Sequence, residues 1–205
     1  VRYPEVKCAL GVHPWYAQPE DVSKIVSLES AHEKGAIAIG EIGLDSKIAS
    51  PPFELQAALF EKQLGIARDL NLPVVVHCRG AFNQLISTVK RVGLPERGGI
   101  IHAYSGSPEI TQELIRLGFS FSMGRALTYR NSPKRAEVLR VIFPERILLE
   151  TDSPDLPPVE RNGTINEPAN LVYMLRAGAE LIKVPEETLA EVTFANATRL
   201  FDLPL

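Results

Sequence analysis

Short apolar, β-branched runs recur along this chain with amphipathic stretches between them, and that recurrence leaves few folds open. The strand-like runs are residues 6–12, 36–42, 73–77, 99–104, 119–123 and 146–151. Their near-continuous apolarity suits strands covered on both faces, as in parallel sheets. Helix patterns fill the gaps. Phe53, Ala57, Phe60, Leu64 and Ala67 recur at helical spacing behind Pro51-Pro52. Ser107 reads as an N-cap, Pro108 as the first helical residue and Gly118 as a left-handed stop. Ser132-Pro133 repeats that opening, and two helices close the chain, one after Pro168 and one after Pro185. Repeated β-α defines an α/β class. No linker, low-complexity tract or composition shift interrupts it, so residues 1–205 are expected to form one domain.

The strand ends fall near residues 13, 41, 77, 102, 124 and 152, 22 to 36 residues apart. A (β/α)8 barrel uses about 31 residues per unit. Six strands are visible rather than eight. The pattern therefore fits a six-stranded doubly wound sheet, or a barrel short of two βα units at its start. Composition excludes other classes. The chain is 45% hydrophobic and 23% charged, which is ordinary globular usage. A net charge of −3 argues against a broadly basic nucleic-acid-coating surface. Two cysteines, Cys8 and Cys78, make no disulfide scaffold. No apolar run reaches the roughly 18 residues of a membrane span.

Metal-capable side chains sit at these strand ends. His13 follows the first run, Glu41 ends the second, His77 the third, His102 the fourth and Asp152 the sixth. In a parallel barrel all these ends share one face, where barrel enzymes place their sites; along an open sheet they could not all converge. Imidazole with carboxylate is the ligand set of Zn²⁺, Mn²⁺ or Fe²⁺ hydrolytic centres. Glu is long enough to bridge two ions, and two ions about 4 Å apart clamp both oxygens of a phosphoryl transfer. No phosphate-binding Gly-rich loop, HExxH or Gly-x-Ser-x-Gly elbow competes with that reading. Any one of these residues alone would be read as a core histidine or a capping carboxylate; four at four strand ends, in register with the βα period, point to a metal site. His13, beside Pro14 and Trp15, is read as lining the site rather than as a ligand. His32 lies on a polar stretch and is read as solvated. Cys78 should face away from His77 and pack as a small apolar group. Arg79 shares the His77 side, where it could bind a phosphate or form a salt bridge.

Together these motifs resemble the TatD family of metal-dependent hydrolases, within the amidohydrolase-like barrels. The matching pieces are Gly11-Val12-His13-Pro14, Gly40-Glu41-Ile42-Gly43-Leu44-Asp45, Val76-His77-Cys78-Arg79, His102 with Ser105-Gly106-Ser107, Glu150-Thr151-Asp152-Ser153-Pro154, and Asn166-Glu167-Pro168. The resemblance implies a TIM (β/α)8-type barrel, two divalent ions (Mg, Mn or Zn) and deoxyribonuclease activity, commonly 3′→5′ exonuclease. It implies that Glu41 bridges both ions, that His77 and His102 bind one, and that Asp152 binds the other and takes a proton from water. Arg79 and His13 would contact substrate. Tyr104 stands where the family often has Phe. The His-x-His pair that opens the family pattern occurs nowhere in this chain.

The chain starts at Val1 without Met and reaches a strand-like run by Val6. The expectation is a barrel lacking its first two βα units, roughly 60 residues at the βα spacing, in a longer protein whose beginning is missing. A targeting segment upstream of Val1 then stays open. So truncated, the chain should be less stable, prone to self-association and nearly inactive. The expected substrate is DNA, with RNA or tRNA as alternatives. The complete form is expected to be a monomer without a membrane segment, in the cytoplasm or nucleus. Two rival functions stand beside the nuclease. One is a metal-dependent esterase or deacylase acting on D-aminoacyl-tRNA, and the other is a catalytically impaired short form.

Overall fold

The computed structural model describes residues 3, 5–129 and 133–204. They fall into two compact units, one made of the described residues up to 100 with 200–202 and the other of those in 101–199 with 203–204.

The first unit carries strands β1 (Cys8–Leu10), β2 (Ala36–Asp45) and β3 (Val74–Arg79), side by side in chain order and parallel. Strand β4 (Gly99–Ile101) is the element through which the chain passes into the second unit. Helix α1 (Asp21–Lys24) is short; α2 (Phe53–Leu70) is long and packs on β2; α3 (Phe82–Val92) follows β3. The core is Ile39, Ile42 and Leu44 of β2, Val74 and Val76 of β3, and Phe60 and Leu64 of α2, all fully buried. Burying such side chains contributes about 1.5–3 kcal/mol each. Helix α2 stops at Asn71, whose left-handed backbone (φ 49°) caps the last turn. Helix α3 is not signalled by the sequence: Ala81 stands at its N-cap without a side-chain hydrogen bond, so the usual start signal is absent.

In the second unit β5 (Phe119–Met123) and β6 (Ile147–Leu149) run parallel, with β4, β5 and β6 in chain order. Helices α4 (Pro108–Arg116), α5 (Pro133–Ile142), α6 (Leu171–Ile182) and α7 (Glu186–Phe201) surround a core of Leu114, Phe119, Phe121, Leu139, Ile142 and Ile147. The start of α4 is as expected: Ser107 accepts the Ile110 N–H at 3.4 Å, and Pro108 opens the first turn. Gly118 ends the segment with φ 102°. Pro133 opens α5, while Ser132 lies outside the described residues.

The strand bounds differ from the apolar runs in an instructive direction. The first, fourth and sixth strands are shorter than expected, because the last residues of each run belong to loops. Strand β2 is longer, running past Ile42 to Asp45, because Gly43, Leu44 and Asp45 go on pairing with His77, Cys78 and Arg79. Glu41 is therefore not at a strand end. It lies inside β2 where the register shifts between Gly40 and Ile42. Among the described residues no helix is long and apolar enough to cross a membrane.

Candidate metal centre

The Glu41 bulge is the pivot of the first unit's polar cluster. An extra residue in one strand re-aims its side chain relative to the regular alternation. Gly40 pairs with Val75 and Ile42 with Val76, which leaves Glu41 as the extra residue. One residue pair further on, Gly43 stands opposite His77, and a Cβ there would lie 1.9 Å from the His77 carbonyl oxygen. Only glycine permits that approach, and it brings β2 close to the histidine.

His77 lies on β3 with its imidazole between two carboxylates. Its Nδ1 is 3.1 Å from Glu41 Oε1 and its Nε2 is 3.2 Å from Asp45 Oδ2. His13 stands just before the 3-10 turn Pro14–Tyr16 and caps it: its Nδ1 accepts the Trp15 backbone N–H at 3.1 Å. The other nitrogen of His13, Nε2, is 3.2 Å from Glu41 Oε1. The donor atoms of His13, Glu41 and His77 all lie within 4.8 Å of one another. Two ligands of a tetrahedral ion with bonds of about 2.0–2.1 Å stand about 3.3 Å apart. The Glu41–His77 separation fits that spacing, and the donor chemistry is that of a hydrolytic divalent centre.

Asp45 is fully buried. Its Oδ2 accepts the Trp15 indole N–H at 2.7 Å, and its Oδ1 accepts the Lys47 N–H at 2.8 Å. Burial alone would raise its pKa; the Trp15 indole, the Lys47 N–H and His77 outweigh burial and hold the carboxyl below its ordinary value. Arg79, largely exposed, approaches the same Oδ2 at 4.0 Å. Cys78 faces the opposite side of β3 as expected, and burial pushes its thiol up to about 12.

Two glutamines of α2 fix this cluster from behind. Gln56 accepts the Asp45 N–H at 2.8 Å and donates to the Pro51 carbonyl at 2.9 Å. Gln63 accepts the Val12 N–H at 2.7 Å and donates to the Val12 carbonyl at 3.1 Å. Both are almost fully buried. One helix thus sets the end of β2 and the segment leading to His13.

The second unit holds the other expected residues. His102 directly follows β4, with Nδ1 3.7 Å from Glu150 Oε2. Glu150 accepts the Ala103 N–H at 2.8 Å and the Ser122 hydroxyl. Asp152 lies three residues beyond β6 with a left-handed backbone (φ 60°) and is exposed. Asn166 gathers the loop after it, donating to the carbonyls of Thr151 (2.5 Å), Asp155 (2.7 Å) and Leu156 (3.2 Å). His32 is exposed, in keeping with a solvated role.

The structure thus brings together His13, Glu41 and His77, with Arg79 beside them. It adds Trp15, Asp45, Gln56, Gln63 and Glu150, to which the sequence alone assigns no role. Asp45 and Glu150 stand inside the motifs quoted above, and Gln56 and Gln63 lie seven residues apart among the apolar residues of the buried face of α2. Those were the available signals.

Comparison with known proteins places the chain among metal-dependent hydrolases. The family model described as TatD related DNase matches residues 1–202. YabD of Bacillus subtilis (strain 168), an uncharacterized metal-dependent hydrolase, is 38% identical over 202 residues, which is 97% of this chain and 78% of YabD. The crystal structure of YjjV, a TatD homologue from Escherichia coli K12, matches with a TM-score of 0.89 and 31% identity over 98% of this chain and 79% of that one. A TatD family hydrolase from Entamoeba histolytica, 20% identical, shares the fold with a TM-score of 0.80 over 95% of this chain and 74% of its own. The α/β class is that of the TatD-type barrels, as the motifs implied. Fold, motif order and donor cluster lead to one assignment: this chain belongs to the TatD family of metal-dependent hydrolases.

Proposed function

We propose that this protein hydrolyses phosphodiester bonds in DNA with the help of two divalent ions, Mg²⁺, Mn²⁺ or Zn²⁺, as a 3′→5′ exonuclease. The observation that carries the reading is the meeting of Glu41, His77 and His13 within 4.8 Å, in a chain matched by a family described as TatD related DNase. When bound, such ions lower the pKa of water and stabilise charge on phosphate oxygens.

The chain's own residues then have distinct roles. Glu41 and His77 would hold an ion, and the carboxylate of Glu41, with two oxygens, would be able to serve a neighbouring one. His102 and Asp152 are proposed as further ligands, with Asp152 accepting the proton of the attacking water. His13 directs Nε2 toward the site and contacts a phosphate oxygen. Arg79 offers exposed positive charge for the substrate backbone. Thr151 is given no nucleophilic role: its hydroxyl accepts the Ser153 N–H at 3.4 Å and the Ser153 hydroxyl at 3.0 Å, and neither is a base.

The test is digestion of 3′- and 5′-labelled DNA by the purified protein across Mg²⁺, Mn²⁺ and Zn²⁺, with EDTA and a His77→Ala variant as controls. Metal-dependent shortening from the 3′ end is expected. Release of D-amino acids from D-aminoacyl-tRNA without DNA cleavage would replace the nuclease reading with the deacylase.

A further inference from the structure

The loop after β5 carries a positive charge for which the described residues supply no anion. Strands β5 and β6 leave the sheet side by side: Met123 pairs with Leu149, and the Glu150 N–H donates to the Met123 carbonyl at 3.2 Å. Beyond Met123 the chain passes through Gly124 into the 3-10 turn Arg125–Thr128. A Cβ on Gly124 would stand 3.0 Å from Glu150 Oε1, so Arg125 begins next to an acid. That acid is engaged elsewhere, accepting the Ala103 N–H at 2.8 Å and the Ser122 hydroxyl. Arg125 itself is half-buried. Its Nη2 donates to the neutral Asn162 Oδ1 at 3.3 Å, and its Nε is buried without an acceptor. A guanidinium stays charged, and its planar fork of donors matches a phosphate. Holding such a charge partly out of water without a counter-ion is costly.

The surroundings fix this charge in place and add to it. The Arg125 guanidinium carbon lies 5.5 Å from the centroid of the Tyr129 ring, and that of Arg135 lies 5.8 Å from the same centroid. Arg135 also donates to the Tyr129 carbonyl at 3.0 Å. Thr128 Oγ1 accepts the Val159 N–H at 3.1 Å, which with the Arg125–Asn162 bond ties the turn to residues 159–162. Two guanidinium groups gathered on one ring raise the positive potential there instead of cancelling it. The ring is 44% exposed. An exposed aromatic side chain beside arginine is the combination by which proteins track a single nucleic-acid strand. Arg125 stands two residues beyond Met123 and Asp152 three beyond its partner Leu149, so both belong to the loops at the same end of this parallel pair. We propose that Arg125 is a phosphate-binding residue for a single strand of DNA, aligned by Tyr129 and Asn162 and reinforced by the charge of Arg135. The choice of DNA rests on the nuclease reading above; the anion site does not.

The test is binding of a fluorescein-labelled oligo-dT strand, followed by anisotropy in EDTA so that the strand stays intact, between about 50 and 200 mM NaCl. Arg125→Met keeps the aliphatic stem and removes the charge; Arg125→Lys restores the charge. Affinity should fall about tenfold in Arg125→Met, as for one lost charge-assisted hydrogen bond. The slope of log affinity against log salt should flatten by about 0.7, which is one phosphate on a single strand. Arg125→Lys should recover that slope. Arg140→Gln, at an exposed position on α5, controls for net charge and should keep the native slope. The Tm of Arg125→Met should equal or exceed the native value, because an unpaired, half-buried charge has been removed. A native slope in Arg125→Met, or no binding of the strand by the native protein, would overturn the proposal. So would a Tm lowered by more than about 4 °C, which would assign the guanidinium to holding the loop. Calorimetry with inorganic phosphate separates the two sources of the anion: phosphate binding that depends on Arg125, beside an unchanged DNA slope, would replace the strand with a free anion and likewise overturn it. Absence of DNA cleavage by the native protein in the presence of metal, alongside Arg125-dependent strand binding, would remove the nuclease reading and leave the subsite standing.

Discussion

Replacing Gln63 by leucine separates packing from hydrogen bonding at the support of the first unit's cluster. The side chain is 1% exposed and pairs with both backbone groups of Val12. Leucine fills nearly the same volume, so the main loss is the two hydrogen bonds. The Val12 N–H and C=O stay half-buried without the amide, and each such orphan costs about 1–2 kcal/mol. The leucine recovers part of this by burying apolar area, leaving a net loss of about 2–3 kcal/mol. For a chain of this size each kcal/mol lowers Tm by about 2–4 °C, so a fall of about 4–12 °C is expected. Differential scanning calorimetry measures it. Lys62→Leu, at the neighbouring exposed position, serves as the control and should stay within about 0.5 kcal/mol of the native protein. Val12 leads directly into His13, so Mn²⁺ binding should weaken in the Gln63 variant alone. A Tm within roughly 1 °C of the native value would show that water satisfies Val12 as well as the glutamine does, and would refute the reasoning.

Other outcomes follow from the same structure. Glu41→Ala and His77→Ala should each lower metal-dependent hydrolysis more than about 100-fold while leaving the circular dichroism spectrum unchanged, because these side chains serve an ion rather than the core; a Glu41→Ala enzyme with native turnover would exclude the bridging role. Cys8 is exposed and Cys78 buried, so a thiol reagent should titrate one cysteine in the folded protein and the second only in denaturant. Asn166→Ala removes a buried amide that holds three carbonyls and should cost about 2–4 kcal/mol in a urea melt, with proteolytic nicking appearing between residues 151 and 166.

Much of this was legible in the chain itself. Apolar runs marked the six strands of the described residues, and the Ser107-Pro108 opening with its Gly118 stop was readable because capping is local chemistry. Glu41 and His77 could be picked out because ligand-type residues kept step with the βα period. What escaped was decided by partners distant in sequence. Nothing near Asp45 indicates that Trp15, thirty residues earlier, will donate to it. The placement of Glu41 inside β2 depends on a register shift against β3, which no single-strand pattern reveals. His13 looked like a loop-packing residue beside Pro14 and Trp15, and it does cap that turn; its second nitrogen reaches Glu41 only because β1 and β2 pair in parallel. Helix α3 went unassigned for a local reason, the absence of a capping side chain before it.

The Asn166 amide has a consequence for how such an enzyme can diversify. It closes the base of the loop that follows Asp152, and Val159 N–H adds a tie to Thr128 Oγ1 at 3.1 Å. Between these anchors residues 159–165 are exposed, with Val159 and Ile165 turned to solvent and Leu156 beside them. Mutations accumulating there leave the carbonyls at the loop base engaged, so drift in that stretch is uncoupled from the groups below it. Selection can then exchange one set of exposed contacts for another, lengthening or shortening the arch, while the inherited chemistry continues underneath. Lineages sharing this scaffold would be expected to differ most in the span between Leu156 and Asn166.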